Sequence, residues 1–318
     1  MKNQLLPENS WFPSSKVLAI RGRIASFLAI GAAALFTFVF VAVFKNGLSN
    51  FEDQLAGYTW RFFSNSDPEE RITIVSIDER SLSEIGPWPW SRSVLAELTQ
   101  EIGDAGAQLQ IHDIVYPASD IIEDNDFERA LINNTSIISQ LPILESSQSI
   151  KDGALSHPVT SESCALSGRS VFPSTENFIG VSPILSGVPK GHIAPLIDSD
   201  GAIRKMPALI CVEDKLYAAL SIAPFFAALG AESWDVNIEQ TAGLFAPHYK
   251  LSLESYPGLE FPVDNSGNIR FSFLRSPSAY RSVSAVDVLN GNYDPRLFDN
   301  TWVVVGATAF ALDDVVPT

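Results

Sequence analysis

Basic residues, histidine and cysteine are the scarce components of this 318-residue chain. Lys and Arg number 21 against 37 Asp and Glu, a formal net charge of −16. Residues 1–45 hold five of the basic residues and one of the acidic ones, which leaves 16 against 36, or net −20, in the remainder. Binding a phosphate backbone or an anionic lipid surface needs a basic face, and none is visible, so nucleic acid is excluded as a partner. Four histidines, His112, His157, His192 and His248, show neither helical ligand spacing nor the company of cysteine, which argues against zinc. The two cysteines, Cys164 and Cys211, allow at most one disulfide, and a bridge and a pair of inert core thiols both stand open. There is no Gly-x-Ser-x-Gly elbow, no basic phosphate clamp and no complete phosphate loop; "VVGATA" alone is not one. The sequence calls for no metal and no cofactor.

What the chain has in quantity is apolar surface, 46% of its residues. One block of it is continuous: "IASFLAIGAAALFTFVFVAVF", residues 24–44, carries no charge over 21 positions, which at the helical rise matches a hydrocarbon core of roughly 30 Å. A cleaved signal peptide would have a shorter apolar core of about 7 to 15 residues and a small-x-small cleavage site, which "VAVFKNG" lacks. An uncleaved transmembrane helix is therefore expected. Lys16, Arg21 and Arg23 precede it while only Lys45 closely follows, which predicts a cytoplasmic tail over 1–23 and everything beyond residue 45 on the outer side of the plasma membrane. No second run of that length appears.

Past the span, Leu48, Phe51, Leu55, Tyr58 and Phe62 recur at three- and four-residue spacing over 46–63, one face of a stalk helix. That face suits either pairing with a second copy, giving a homodimer, or docking on its own domain. From residue 71 the pattern becomes strand, helix, strand: "RITIVSID", then "SRSVLAELTQEIGDAG" with Ser91 to cap it and Gly106 to end it, then "AQLQIHDIVY". Such a connection predicts a parallel βαβ unit. A second unit follows, its helix capped by Asp124 or Asn125, with "TSIISQLPIL" as its strand. Residues 145–180 show no sustained period and suggest a long surface excursion. Tyr217 to Gly230 suggests a helix that Pro224 either kinks or starts, and "TWVVVGATA" a central strand buried on both faces. The fold class is α/β, a mixed, largely parallel sheet flanked by helices over 46–318, preceded by the one transmembrane helix.

Two groups of residues invite a functional reading. Asp78, Asp113, Asp313 and Asp314 each follow an apolar strand, and carboxylates at the carboxyl ends of parallel strands can hold Mg²⁺ for phosphoryl chemistry. Asp is equally at home capping helices and turns just past strands, and no nucleophile motif accompanies these four. His112 beside Asp113 fits the alternation of a half-exposed strand. The second group is "GPWPWSR", where Pro87 and Pro89 stiffen a segment presenting Trp88 and Trp90 ahead of a helix. Its tryptophans can wall a ligand cage or plug the edge of a sheet, and the plug is the commoner use. Arg92 is expected over a ring face or paired with Asp78 or Asp113.

These residues together resemble the second type of CHASE domain, the extracellular sensor associated with bacterial cyclases and histidine kinases. "ITIVSIDERSLSEIGPWPWSR" is similar to the family's opening strand, aspartate and Gly-x-Trp-Pro-Trp-x-Arg segment. "AQLQIHDIVY", "DSDGAIRKMPALI", "VDNSGNIRFSFL" and "SAVDVLNG" with "TWVVVGATAFALDD" follow in the family's order. The resemblance implies an unidentified extracytoplasmic ligand and an output, cyclase or kinase, across the membrane. This chain stops about where the family's sensor turns back to the membrane, so it is expected to be a sensor portion or to lack an output of its own. A metal-dependent phosphohydrolase and a non-catalytic envelope adaptor are the alternatives.

Overall fold

The computed structural model describes residues 15–43, 67–117, 121–144, 146, 148–159, 164, 171–198, 201–230, 234–241, 249–254, 256–271 and 275–309. The stalk segment 46–63, His248, Asp313 and Asp314 lie outside the described residues. Two units partition the chain, residues 1–64 and 65–318. In the first, helix α1 (Ser15–Val43) spans 29 residues and contains nearly all of the uncharged run. Its described side chains, 26–40, are all exposed, and among the described residues no helix is long and apolar enough to cross a membrane.

The second unit is α/β. Its first half contains β1 (Glu69–Ile77), α2 (Glu79–Glu84), α3 (Arg92–Asp104), β2 (Leu109–Val115), α4 (Ile121–Asn133) and β3 (Ser136–Ile143). An excursion then contributes β4 (Lys151–Asp152), β5 (Ser174–Thr175), β6 (Asn177–Ile179) and β7 (Lys190–His192). Beyond it lie β8 (Leu196–Ile197), β9 (Ile203–Pro207), β10 (Leu209–Val212), β11 (Lys215–Ala218), α5 (Ala223–Ala228), β12 (Val236–Gln240), β13 (Tyr249–Leu253), β14 (Tyr256–Val263) and β15 (Asn268–Arg270). The chain returns through β16 (Tyr280–Ser284), α6 (Ala285–Leu289) and β17 (Trp302–Ala307).

The main sheet runs β16-β1-β17-β2-β3-β6-β4, with β7 also paired to β3; three small sheets are built from β11-β10-β5, β12-β13-β14 and β15-β9-β8. β16, β1, β17, β2, β3 and β7 are mutually parallel, and β6 is antiparallel to β3, so the expected mixed, largely parallel sheet is present. β1 and β2 are not neighbours, however. β17 enters between them, with Ile74 opposite Val304 on one side and Val304 opposite Ile111 on the other. On one face Val75, Ile77, Ile138, Val303 and Val305 meet Leu95, Leu98 and Ile102 of α3, Phe127 and Leu131 of α4, and Ala285 and Val288 of α6. On the other, Leu109 and Ile137 pack with Ala223 and Phe226 of α5 and with Leu251 and Leu253 of β13. Trp302 and Val304 of β17 are only half-buried on that second face, so this strand is less enclosed than its apolar run suggests.

Three further expectations are corrected. Residues 217–230 are not one helix: β11 continues to Ala218, and only Ala223–Ala228 is helical, with Pro224 in its first turn. The cause is a tight hairpin in which Glu213 and Asp214 have φ of +51° and +60°, as a two-residue primed turn requires. The excursion is not purely superficial, since Val159, Val171, Phe172 and Phe178 are buried. Helix α4 begins at Ile121, so Asp124 lies inside its first turn instead of capping it.

The open question of the cysteines is resolved by a Cys164–Cys211 disulfide, which ties the excursion to β10 across 47 residues of sequence. Closing a loop of this size restricts the unfolded chain, and its removal is expected to cost about 2–4 kcal/mol. Cys211→Ser combined with Cys164→Ser should lower the chemical denaturation midpoint accordingly, and an unchanged midpoint would show that the bridge contributes nothing to stability.

Candidate functional site

The "GPWPWSR" segment connects α2 to α3 on the helix-covered face of the sheet. Gly86 adopts φ +133°, a conformation closed to residues with a side chain, and its carbonyl accepts a 2.9 Å hydrogen bond from the Trp90 indole. Trp90 is buried in the core beneath α3, and Trp88 is half-buried against the same core, its ring meeting that of Trp90 edge to face at 5.6 Å. The pair forms a plug over the first strand–helix junction. Ser91 caps α3 through a bond from the Val94 amide, as the sequence predicts.

Arg92 lies over ring faces, one of its two expected settings, but not with the expected aspartates or on a tryptophan. It touches neither Asp78 nor Asp113 and stacks on no tryptophan among the described residues. It is 7% exposed, and its Nε donates to Asp124 Oδ1 at 2.9 Å while one terminal nitrogen donates to the Pro117 carbonyl at 2.5 Å. The guanidinium lies 5.1 Å from the ring centre of Tyr116 and 5.7 Å from that of Phe127. The reason lies in α4: by starting at Ile121 it brings Asp124, itself 1% exposed, into line with the first turn of α3. A planar fork with several donors satisfies a carboxylate, a carbonyl and two ring faces together, which a lysine cannot.

Beneath this ion pair lies His112. The sequence alternation suggests half exposure, yet His112 is buried, its Nδ1 2.9 Å from the Tyr116 hydroxyl, and Asp113 takes the exposed position instead. Burial pushes the His112 imidazole down to about 3 and the Tyr116 phenol up, with Arg92 partly countering the latter. His112 is therefore neutral at any physiological pH.

Asp78 is committed to structure. Its carboxylate caps α2 by accepting from the Ser81 amide at 2.9 Å and also accepts from the Ser284 hydroxyl at 2.8 Å. Burial opposes its ionisation, but the hydrogen bonds from Ser81 and Ser284 outweigh that and hold the carboxyl below its usual range. Arg80 pairs with Asp287 of α6 and reinforces the same junction. Asp113 projects from the neighbouring part of β2 with its Cβ near Gly306. The two described strand-end aspartates thus differ in setting: Asp78 is a cap, and Asp113 stands at an exposed position. Among the described residues the potential metal ligands that group together are Cys164, Cys211 and Asp214, and both sulfurs are taken by the disulfide.

A set of residues that sequence reasoning passed over lies at the β7 edge. Lys190 and His192 are fully buried, and the register Ile138↔Lys190, Gln140↔His192 places them on the same face of the sheet as Ile138 and Gln140. Lys190 Nζ donates to the Leu185 and Val188 carbonyls at 2.6 and 2.8 Å. Burial lowers the Lys190 ammonium to about 7, against a smaller upward pull from Glu128 of α4. Both ring nitrogens of His192 are buried without a hydrogen-bond partner. "KGH" offers no periodic signal, and only the pairing of an edge strand reveals it.

The Arg92–Asp124 pair sets a measurable expectation. Removing one partner strands the other in the core, so Asp124→Ala should cost about 3–5 kcal/mol. Arg92→Lys should recover only part of the loss of Arg92→Ala, whereas joint replacement by Arg92→Met and Asp124→Leu should cost less than either single truncation. Urea denaturation of the four variants checks this, and additive single and double effects would sink the ion-pair account.

No curated protein and no solved structure matches the chain. One family does, over residues 33–318, nearly the whole sequence: the CHASE2 domain. The matched region takes in Trp88 and Trp90, the Arg92 network, the four aspartates that follow strands and the closing strand β17. The chain belongs to the CHASE2 family of sensory extracellular domains.

Proposed function

We propose that this protein is a membrane-anchored extracytoplasmic sensor that perceives a stimulus in its α/β unit and relays it across the membrane to a cyclase or kinase output. The observation that carries the reading is the match of the CHASE2 domain to residues 33–318. Anchoring is supported by the uncharged run 24–44, whose 21 residues extend about 31 Å as a helix, and by α1, which contains nearly all of it. The basic residues before that run favour a cytoplasmic N-terminus. An outer location for the α/β unit accords with its disulfide, since such bridges persist in oxidising compartments.

The mechanism we assign is a shift of population. A stimulus that favours one arrangement of the α/β unit biases the segment leading into the membrane, by no more than its differential affinity for the two arrangements. A homodimer through the face of Leu48, Phe51, Leu55, Tyr58 and Phe62 is the arrangement in which such a bias is transmitted. The phosphohydrolase alternative draws little support from Asp78, whose Oδ1 caps α2 and accepts from Ser284.

Orientation is the first test. Because both native cysteines are bridged, an introduced cysteine is the sole free thiol. In intact cells a membrane-impermeant maleimide should label Asn292→Cys, at an exposed position of the α/β unit, and should label Asn3→Cys only after permeabilisation. The opposite pattern, or equal labelling of both, would overturn the anchored-sensor reading.

A further inference from the structure

Residues 154–159 form an arch held against β3, while the other edge of β7 is taken by Ala219 and Leu220, the Leu220 amide donating to the His192 carbonyl at 2.8 Å. The feet of the arch are pinned by backbone bonds. Ala154 and Val181 exchange bonds of 2.9 and 3.0 Å, and the Val159 amide donates to Leu216 at 2.8 Å. Between the feet the arch is held by one side chain: the Gln140 amide donates to the Ser156 carbonyl at 3.3 Å and accepts from the Ser156 amide at 3.2 Å. Ser156 Oγ adds a long contact to the Ser186 carbonyl at 3.4 Å. At the crown His157 has φ +58°, a conformation that costs a non-glycine residue of order 1 kcal/mol or more and persists only where its surroundings enforce it. The His157 ring meets Trp234 at 5.7 Å, and Trp234 in turn stacks on Phe226 of α5.

Gln140 pairs in register with His192 on the same face of the sheet. An imidazole with both nitrogens buried and unpartnered is costly even when neutral, and protonation creates two unmet N–H donors carrying a charge. The charged and titratable groups around this point are Lys190 on β7 itself, Glu128 of α4 near Lys190, and His157 on the arch; β3 supplies only the uncharged Gln140. Glu128 acts on Lys190, and burial alone governs His192, so no carboxylate compensates a proton there.

We propose that this seam is a proton-binding site, and that uptake of a proton at His192, assisted by His157, frees the arch 155–158 from β3, making acidification a stimulus of the domain. The inference rests on the sensor reading for its biological meaning and on the seam geometry for its chemistry. The sign follows from the directions of the shifts. Burial lowers His192 to about 3, while burial and then Lys190 lower His157 to about 4, both from an ordinary 6.5. The closed arch therefore keeps its full stability above pH 6.5 and loses it as pH falls towards those values, by up to tenfold in its closing equilibrium per pH unit per group. Lys190, lowered to about 7, is still taking up its proton at the top of this window and completes its charging only below about pH 6, so it weakens the closed seam in the same direction there.

The test is fluorine NMR of the full chain in lipid nanodiscs with 5-fluorotryptophan, the Trp234 signal being assigned by Trp234→Phe. Between pH 7.5 and 4 the Trp234 signal should change in a transition whose midpoint lies between 6 and 4, with far-UV circular dichroism unchanged. His192→Leu should lower that midpoint by at least one pH unit or abolish it, and Gln140→Ala should raise it. No transition, or a midpoint unmoved in both variants, overturns the proposal, as does loss of circular dichroism at the same midpoint, which would mean global unfolding. If His192→Leu fails to fold, the direction of the Gln140→Ala shift decides alone. A spin label at Asn3→Cys, followed over the same titration, separates the two readings: a seam transition without response at the tail leaves the proton site standing and removes the relay.

Discussion

The sheet depends on its last strand. β17 takes hydrogen bonds from β1 on one side and from β2 on the other, so residues that open the α/β unit and residues some 230 positions later share one ladder. Without Trp302–Ala307 the strand after residue 67 has only β16 beside it, and the two βα units have no common core. Pairings this distant in sequence are slow to form, because the whole intervening loop must close first. Once formed, they make the domain's first strand and its last inseparable. The amides of Thr308 and Ala309 both donate to the Ile77 carbonyl, which extends the link past the end of the ladder. A displacement of one strand must therefore be felt by the other.

Polar side chains on the helix-covered face follow a gradient. At β1 the Thr73 hydroxyl donates to the Leu297 carbonyl; at β2 the Gln110 amide donates to Thr99 and His112 meets Tyr116. Each of these has found one partner, although Gln110 Oε1 and His112 Nε2 stay buried without one among the described residues. At β7 the balance deteriorates: Lys190 relies on two carbonyls of one turn, and His192 has none. A buried polar group without a partner stores unfavourable energy that opening to water releases, so local opening should be cheapest at this edge.

The α/β class, the βαβ unit around α3, the cap at Ser91 and the closing strand were legible because hydrophobic periodicity and capping residues are local signals. Their errors have physical causes. β17 between β1 and β2 is a fact of pairing, which no local pattern encodes. The β10–β11 hairpin went unseen because Glu213 and Asp214 occupy positive-φ positions usually marked by Asn or Gly. Arg92 was assigned to the wrong aspartate because its partner depends on where α4 begins, and an earlier start, at Ile121, converts Asp124 from a cap into a buried counter-ion. The β7 edge was illegible for a different reason: three residues have no period, and the significance of Lys190 and His192 lies wholly in what surrounds them.

The same constraints explain why a change at the arch stays local. Its feet are backbone bridges to Val181 and Leu216, and behind them the Cys164–Cys211 disulfide anchors the excursion to β10, whose partner β11 carries Leu216. A proton at His192 acts directly on the few bonds that hold residues 155–158 and leaves those anchors intact. Gly191 adds a second restraint: a Cβ there would lie 2.4 Å from the Leu220 backbone, so β7 sits as close to the α5 side as a chain can approach. The strand cannot retreat toward α5 when its outward-facing neighbours are charged. Strain introduced at this edge is left with two directions, outward into the arch or sideways through β3 into the ladder that β17 closes.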